Sequence, residues 1–424
     1  MRILRMGSQG PAVALLQLAL NRAGAGELET DGVFGVKTEA ALRRFQRETG
    51  LNPDGAAGRE THRALMPWYT GYLVHKLQRG DTLWALAGQY GTAVEAIRLA
   101  NPGLREENLE IGKGLVVPLG FDVVPEGIPF FSGLTGYCVR GLAVRYPFLF
   151  TGELGKSVQG RPLWFLRLGA GENRVLYHAG IHANEWITTP LLLRFCEALA
   201  KAFAAGGTIL GRSAAEILDY ASLTLIPQVN PDGADLVTGE LRRGENYRQA
   251  QRIAADYPRF PFPAGWKANL RGTDLNLQFP AGWEEAKKHK AAQGVVSPAP
   301  ADYVGPAPLS APESRALYDF TLALQPRLTL SLHTQGKEIY WRYGGCEPPK
   351  SREIGELFAR LSGYLLADPA ATSSAGYKDW FIAALCRPGY TIEAGQGTNP
   401  LPLADLDAIY RELLPILVYG ALVT

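Results

Sequence analysis

His182 and Glu185 stand three residues apart in the stretch GIHANEW, in a chain with six histidines. Imidazole nitrogen and carboxylate oxygen are both zinc ligands, and a catalytic zinc keeps three protein ligands and one open position. A tight turn lets two side chains at that spacing converge on one ion. The third ligand must then come from a distant segment, and His333, closing the apolar run RLTLSLH, is the best placed. Spacing alone leaves an ordinary polar corner as the competing reading. His178, four residues before His182, falls in a strand-type run rather than on a helix, so it is expected in the core or behind the ligands. His62, His75 and His289 lie in other segments or a charged loop and receive no role.

The elements around these residues belong to a segment running from 121 to 424. Its apolar runs alternate in type: RVLYHAGI as strand, TTPLLLRFCEALAKAF as helix, SLTLIPQV as strand, APESRALYDFTLAL as helix, RLTLSLH as strand, SREIGELFARLSGYLL as helix, GYTIEAG as strand and ADLDAIYRELLPILVYG as helix. Such alternation predicts a mixed, mostly parallel sheet with helices on both faces. Ligands of such sheets bind beyond the carboxyl ends of the strands, and His182 and Glu185 follow a strand directly.

Two smaller segments precede it. Residues 1–68 read as short amphipathic helices, with Val13, Leu16 and Leu20 at helical spacing. A second helix follows over TEAALRRFQRETG, with Thr38 as a possible cap and Gly50 as its stop. The signature D-G-x-x-G-x-x-T occurs twice, from Asp31 to Thr38 and from Asp54 to Thr61. Residues 72–119 read strand, helix, helix, strand, with Asp81 or Thr82 capping the first helix and Asn101-Pro102 ending the second.

Composition narrows the function. The 43 basic and 41 acidic residues leave a net charge of +2, which gives no electrostatic case for a nucleic-acid partner. No apolar run approaches the roughly 18 residues of a membrane span. The four cysteines are too few for a disulfide framework in 424 residues. The stretch MRILRMGSQGPAVALLQLAL breaks its apolar residues with Gly, Ser, Gln and Pro, so no Sec signal peptide is expected there.

Several motifs now combine. GKSVQGRPLWFLRLG, YHAGIHANEW, VNPDGAD (Val229 to Asp235), GTDLNLQFP (Gly272 to Pro280), LSLHTQG and YTIEAG occur in this order. Together they resemble the zinc carboxypeptidase family over most of residues 121–424. The resemblance implies one Zn2+ per catalytic domain, held by His182, Glu185 and His333, with Glu393 as catalytic glutamate. Residues 1–68 resemble the three-helix peptidoglycan-binding domain, and residues 72–119 resemble the βααβ LysM domain, which implies binding to N-acetylglucosamine chains.

The departures bear on specificity. Asn276 matches the family, but Leu277 stands where the family carries an arginine for a terminal α-carboxylate. The oxyanion cation is Lys267 or Arg271, and the permanently charged, forked guanidinium favours Arg271. No residue matches the family's substrate-closing tyrosine cleanly; Tyr377 is the nearest. Lys378 falls where the family places its side-chain pocket and would favour an acidic group on the substrate. The three-part layout resembles the bacterial γ-D-glutamyl-L-diamino acid endopeptidases. It implies a peptidoglycan stem peptide at the active site, cut between γ-linked D-glutamate and diaminopimelate or lysine. A stem-trimming carboxypeptidase, an amidase or peptidase acting on unrelated peptides and an inactive wall-binding scaffold are the alternatives. A wall target implies action at the envelope or on wall fragments, and the lack of a leader leaves a cytoplasmic or sporulation compartment open.

Overall fold

The computed structural model describes residues 2–368 and 374–423. The chain divides into two compact units, Met1–Ile128 with Gly136–Phe150, and Pro129–Thr135 with Thr151–Thr424.

In the first unit, helices Pro11–Arg22 and Val36–Glu48 are followed by a third helical region split into Arg59–Ala64 and Met66–Thr70. Pro67 sits in the first turn of the last piece, where its missing N–H costs no helical bond. The repeated signature is built twice as the same hydrogen-bond cradle. Gln17 donates to Asp31, Val33 O and Thr38 while its amide oxygen accepts from Gly32 N. Gln46 does the same to Asp54, Ala56 O and Thr61, and accepts from Gly55 N. Thr38 is therefore not a helix cap. It lies buried inside the helix that Gly35 begins, its hydroxyl held by Gln17.

Strands β1 (Tyr72–Lys76) and β2 (Gly114–Pro118) pair antiparallel around helices Leu83–Tyr90 and Val94–Ala100, which gives the βααβ order. Thr82 rather than Asp81 caps the first helix, accepting from Ala85 N at 3.1 Å. Asp81 instead accepts from Gln78 N. Asn101 bonds Ile97 O and both backbone groups of Val116, so it ties the second helix to β2.

The second unit is built on an eight-stranded sheet. Its strands are β3 (Phe150–Lys156), β4 (Pro162–Leu168), β5 (Asn173–His178), β8 (Ala221–Ile226), β9 (Leu328–His333), β10 (Glu338–Tyr340), β11 (Leu365–Ala367) and β12 (Gly389–Glu393). A small ribbon, β6 (Thr208–Ile209) with β7 (Arg212–Ser213), stands apart. The sheet order is β11-β10-β12-β9-β5-β8-β4-β3. The central run β12, β9, β5, β8 is parallel, while β10–β12 and β4–β8 are antiparallel. Every residue of β8 and β9 is buried, as continuous apolar strands covered on both faces must be. Helices Thr188–Ala204 and Leu406–Gly420 cover the Tyr177 face, and helices Pro312–Leu324 and Tyr377–Leu385 cover the Leu176 face. No helix among the described residues is long and apolar enough to cross a membrane.

Candidate active site

The ends of three neighbouring parallel strands assemble the site. β9 ends at His333 and β12 at Glu393, and the two residues are register partners. Next to β9, β5 ends at His178, and the chain then turns through Gly180 into His182 and the short 3-10 turn Ala183–Glu185. Gly180 has φ 60, and a Cβ there would meet Thr189 Oγ1 at 3.0 Å, so the turn needs glycine. Its N–H donates to Thr188 at 2.9 Å, which locks the turn to the following helix.

The side chains converge. Glu185 Oε1 lies 2.9 Å from His182 Nδ1, and its Oε2 lies 2.9 Å from His333 Nδ1. The two Nδ1 atoms are 3.2 Å apart. Two imidazole nitrogens and a carboxylate facing one another at this range call for a cation or a proton between them. Zinc with ligand bonds of about 2.0–2.1 Å separates tetrahedral donor atoms by roughly 3.3 Å, so this N, N, O set fits the ion. Among the described residues, His182, Glu185 and His333 form the buried metal-ligating group, with all ligand atoms within 4.8 Å of one another. His333 Nε2, on the far side of its ring, has no protein partner.

Charges close around the triad. Burial works against the charged form of His182, but Glu185 and Asp274 together outweigh it and lift the pKa to about 9. Burial would raise the pKa of Glu185, yet His182, Lys267 and His333 hold it well below the usual range. Lys267 Nζ stands 3.4 Å from Glu185 Oε1, its side chain about one-third exposed (35%). Burial pulls its pKa down, and Glu185, Asp274 and Glu393 push it above its ordinary value. Glu393 is half-buried, and burial raises its pKa, with Glu185 adding to the rise and His333 opposing it.

Two residues essential to this geometry were not singled out by sequence. Asp274 Oδ1 lies 3.2 Å from His182 Nε2, and its carboxylate also accepts from the backbone N–H of Asn276 and of Asp302. Asn230 ties the ligand turn to the Lys267 loop: its amide donates to Ala268 O at 3.0 Å while its backbone N–H donates to Gly180 O. Both sit in motifs visible in the sequence, DLN and VNPDG, whose residue types alone do not reveal what they hold.

Other expected site residues fall elsewhere. Arg271 is exposed, and its backbone N–H, like that of Thr273, donates to Asn269 Oδ1, a turn that carries its side chain out. Lys267 is the cation placed against Glu185, so the preference for Arg271 is corrected. Tyr377 is fully buried, its hydroxyl 3.0 Å from Thr321 and its ring packed on His178, Phe279 and Phe381, so it is a core residue rather than a substrate contact. His178 lies in the same core and bonds Ser331 Oγ at 2.7 Å. Lys378 is buried as well, with Nζ 2.7 Å from Arg342 O and 2.5 Å from Asp379 Oδ1, so its charge is already matched. Asn276 is half-buried and accepts from Tyr377 N through Oδ1.

A doubly covered parallel sheet presenting a His-Glu-His triad and a glutamate at its strand ends is the arrangement of a metallopeptidase. The zinc carboxypeptidase family model matches residues 138–414, and the chain belongs to that family. A peptidoglycan binding domain matches residues 9–65 and a LysM domain residues 75–118. The chain is 42% identical to gamma-D-glutamyl-L-diamino acid endopeptidase 1 of Lysinibacillus sphaericus, over 66% of this chain and 69% of that protein. It is 40% identical to the uncharacterized protein YqgT of Bacillus subtilis, over 64% of this chain and 72% of that one. In fold it is similar to thrombin activatable fibrinolysis inhibitor, with TM-score 0.53 and 20% identity over 69% of this chain and 74% of the other. Zinc is the metal of this family, and the triad is able to hold it.

Proposed function

We propose that this protein hydrolyses the bond between γ-linked D-glutamate and the L-centre of the third residue, diaminopimelate or lysine, in peptidoglycan stem peptides. His182, Glu185 and His333 would hold the zinc, which when bound polarises a carbonyl and makes a water acidic. Glu393 takes the proton of the attacking water and delivers it to the leaving amine; its raised pKa suits a group that must both accept and release a proton. Lys267 faces the negative charge that develops on the carbonyl oxygen. Asn276, one side of the same loop, positions the substrate.

The observation that carries the choice of bond is Leu277. It packs against an apolar cluster of Trp283, Ala286, Val304 and Ala375, so position 277 itself supplies no cation for a terminal α-carboxylate. A carboxylate buried without a partner is costly, which disfavours release of single C-terminal residues. The activity named for the 42% identical relative supports the same bond.

Residues 1–68 and 72–119 act as wall-binding domains of a catalytic domain spanning 121–424, and they place the enzyme on the wall or its fragments. A cleft of about 590 Å³ in the LysM-like module, lined by Asp81, Thr82, Trp84, Arg98 and Glu107 among others, supports glycan binding. Trp84 is 82% exposed there, which leaves an apolar ring face for a sugar. Linked binding sites raise the local concentration of substrate without new active-site contacts.

Mass spectrometry of defined stem tetrapeptides after digestion, with and without chelator, tests the reading. Expected is chelator-sensitive cleavage on the carboxyl side of γ-D-Glu with D-Ala still attached to the third residue. Release of D-Ala alone would replace the endopeptidase with a carboxypeptidase. Glu393→Gln should lower kcat by roughly 10²–10⁴-fold with zinc retained.

A further inference from the structure

Cys346 and Cys386 are 40 residues apart in the chain, yet their Sγ atoms lie 3.8 Å from each other. Cys346 stands in a turn, its N–H donating to Tyr343 O. Cys386 follows the helix Tyr377–Leu385 in the left-handed conformation (φ 51), with its N–H on Ile382 O at 2.9 Å. The thiol of Cys346 points to that same Ile382 carbonyl at 3.8 Å. Both thiols therefore meet at the last turn of one helix. Cys386 is exposed and Cys346 half-buried, whereas Cys138 and Cys196 are buried.

A disulfide has sulfurs about 2.05 Å apart, so these two need less than 2 Å of approach. One lies in a turn and the other at an exposed helix end, where such a shift is small. We propose that Cys346 and Cys386 are a redox-modification site that closes into an intramolecular disulfide by exchange with a small-molecule disulfide. The exposed Cys386 thiolate attacks one sulfur of that disulfide, forming a mixed disulfide and expelling the first small thiolate. The Cys346 thiolate then attacks Cys386 Sγ and expels the second. The two protein thiols lose two electrons and two protons, and the small disulfide becomes two thiols. Burial and the neighbouring Cys386 raise the pKa of Cys346, which favours the exposed Cys386 as the first attacking thiol.

The bridge would staple a contact already present. The carbonyl of Arg342, four residues before Cys346, holds the ammonium of Lys378 on the helix that Cys386 ends. Closing the intervening loop removes freedom from the unfolded chain and stabilises the unit. This inference stands on the thiol geometry and not on the activity proposed above.

The test incubates the full chain with oxidised glutathione or with dithiothreitol, blocks remaining thiols with iodoacetamide, and maps the digest by mass spectrometry. Expected after oxidation is a crosslinked peptide pair containing Cys346 and Cys386, two hydrogens lighter, with Cys138 and Cys196 outside the crosslink. Tm should rise by several degrees relative to the reduced protein. Cys346→Ser should trap Cys386 as the glutathione adduct, and Cys386→Ser should leave Cys346 largely unmodified. Wild-type protein in which both cysteines are alkylated, or each carries glutathione with no crosslink, would overturn the proposal.

Discussion

Asp274 Oδ1 lies 3.2 Å from Nε2 of His182, behind the ring whose Nδ1 faces Glu185 and His333. A carboxylate in that position fixes the tautomer and ring orientation of a ligating histidine and strengthens its donor nitrogen. Asp274 is itself buried and held by two backbone N–H groups, so it has little freedom to leave.

Asp274→Asn keeps the size of the side chain and removes its charge. Zinc affinity should fall by about 10–100-fold, measured by competition with a chromogenic chelator. An unchanged affinity would mean that Asp274 serves the loop and not the histidine.

Lys267 and Arg271 separate cleanly by experiment. Lys267→Met should lower kcat by roughly 10²–10³-fold, the cost of losing one oxyanion donor, with zinc content checked because Lys267 also faces Glu185. Arg271→Ala should leave kcat near wild type, since its side chain is exposed. The reverse pattern in stem-peptide kinetics would restore Arg271 to the site.

The contrast between these two residues marks how far the sequence is legible. The order of the motifs points to His182, Glu185 and His333, and the strand ends of the parallel sheet bring these three to one edge, within ligand range of one another. The motif order also points to Glu393, which lies at the end of β12 as the register partner of His333. The choice between Lys267 and Arg271 depends on a turn in which Asn269 gathers the N–H groups of Arg271 and Thr273. Charge and donor number carry no trace of that turn. Tyr377 failed for a related reason: it begins a helix, and which face its ring takes is set by packing against His178 and Phe279. Asp274 was hidden among 41 acidic residues, since its function is visible only once His182 stands beside it.

Lys378 gives a prediction about stability. Its ammonium is buried between Arg342 O and Asp379 Oδ1, and Asp379 also accepts from Gly376 N. Removing the cation leaves Asp379 buried without its counter-charge, a change that typically costs about 3–5 kcal/mol. Lys378→Met should therefore lower Tm by several degrees. The Lys378→Met, Asp379→Asn double variant should recover part of the loss. A variant with wild-type Tm but a raised KM for stem peptides would instead assign Lys378 to the substrate's acidic group.

The paired cradles of the N-terminal unit make a pH prediction. Hydrogen bonds from Val33 N and Gln17 lower the pKa of Asp31, and those from Ala56 N and Gln46 lower that of Asp54. A carboxylate whose folded pKa lies below its unfolded value of about 3.9 contributes stability above that value, and this is lost as pH falls through the folded pKa. Protonation turns the acceptor oxygen into a poorer partner for the Gln amide and the turn N–H. Hydrogen exchange on peptides covering residues 9–65 should accordingly speed up as pH drops from about 5 toward 3, after correction for intrinsic rates. Asp31→Asn with Asp54→Asn keeps an acceptor oxygen that does not titrate in this range, so the double variant should be less protected at pH 7 but nearly flat in acid. Equal acid sensitivity in the variant and the wild type would show that other carboxylates set the stability of this unit.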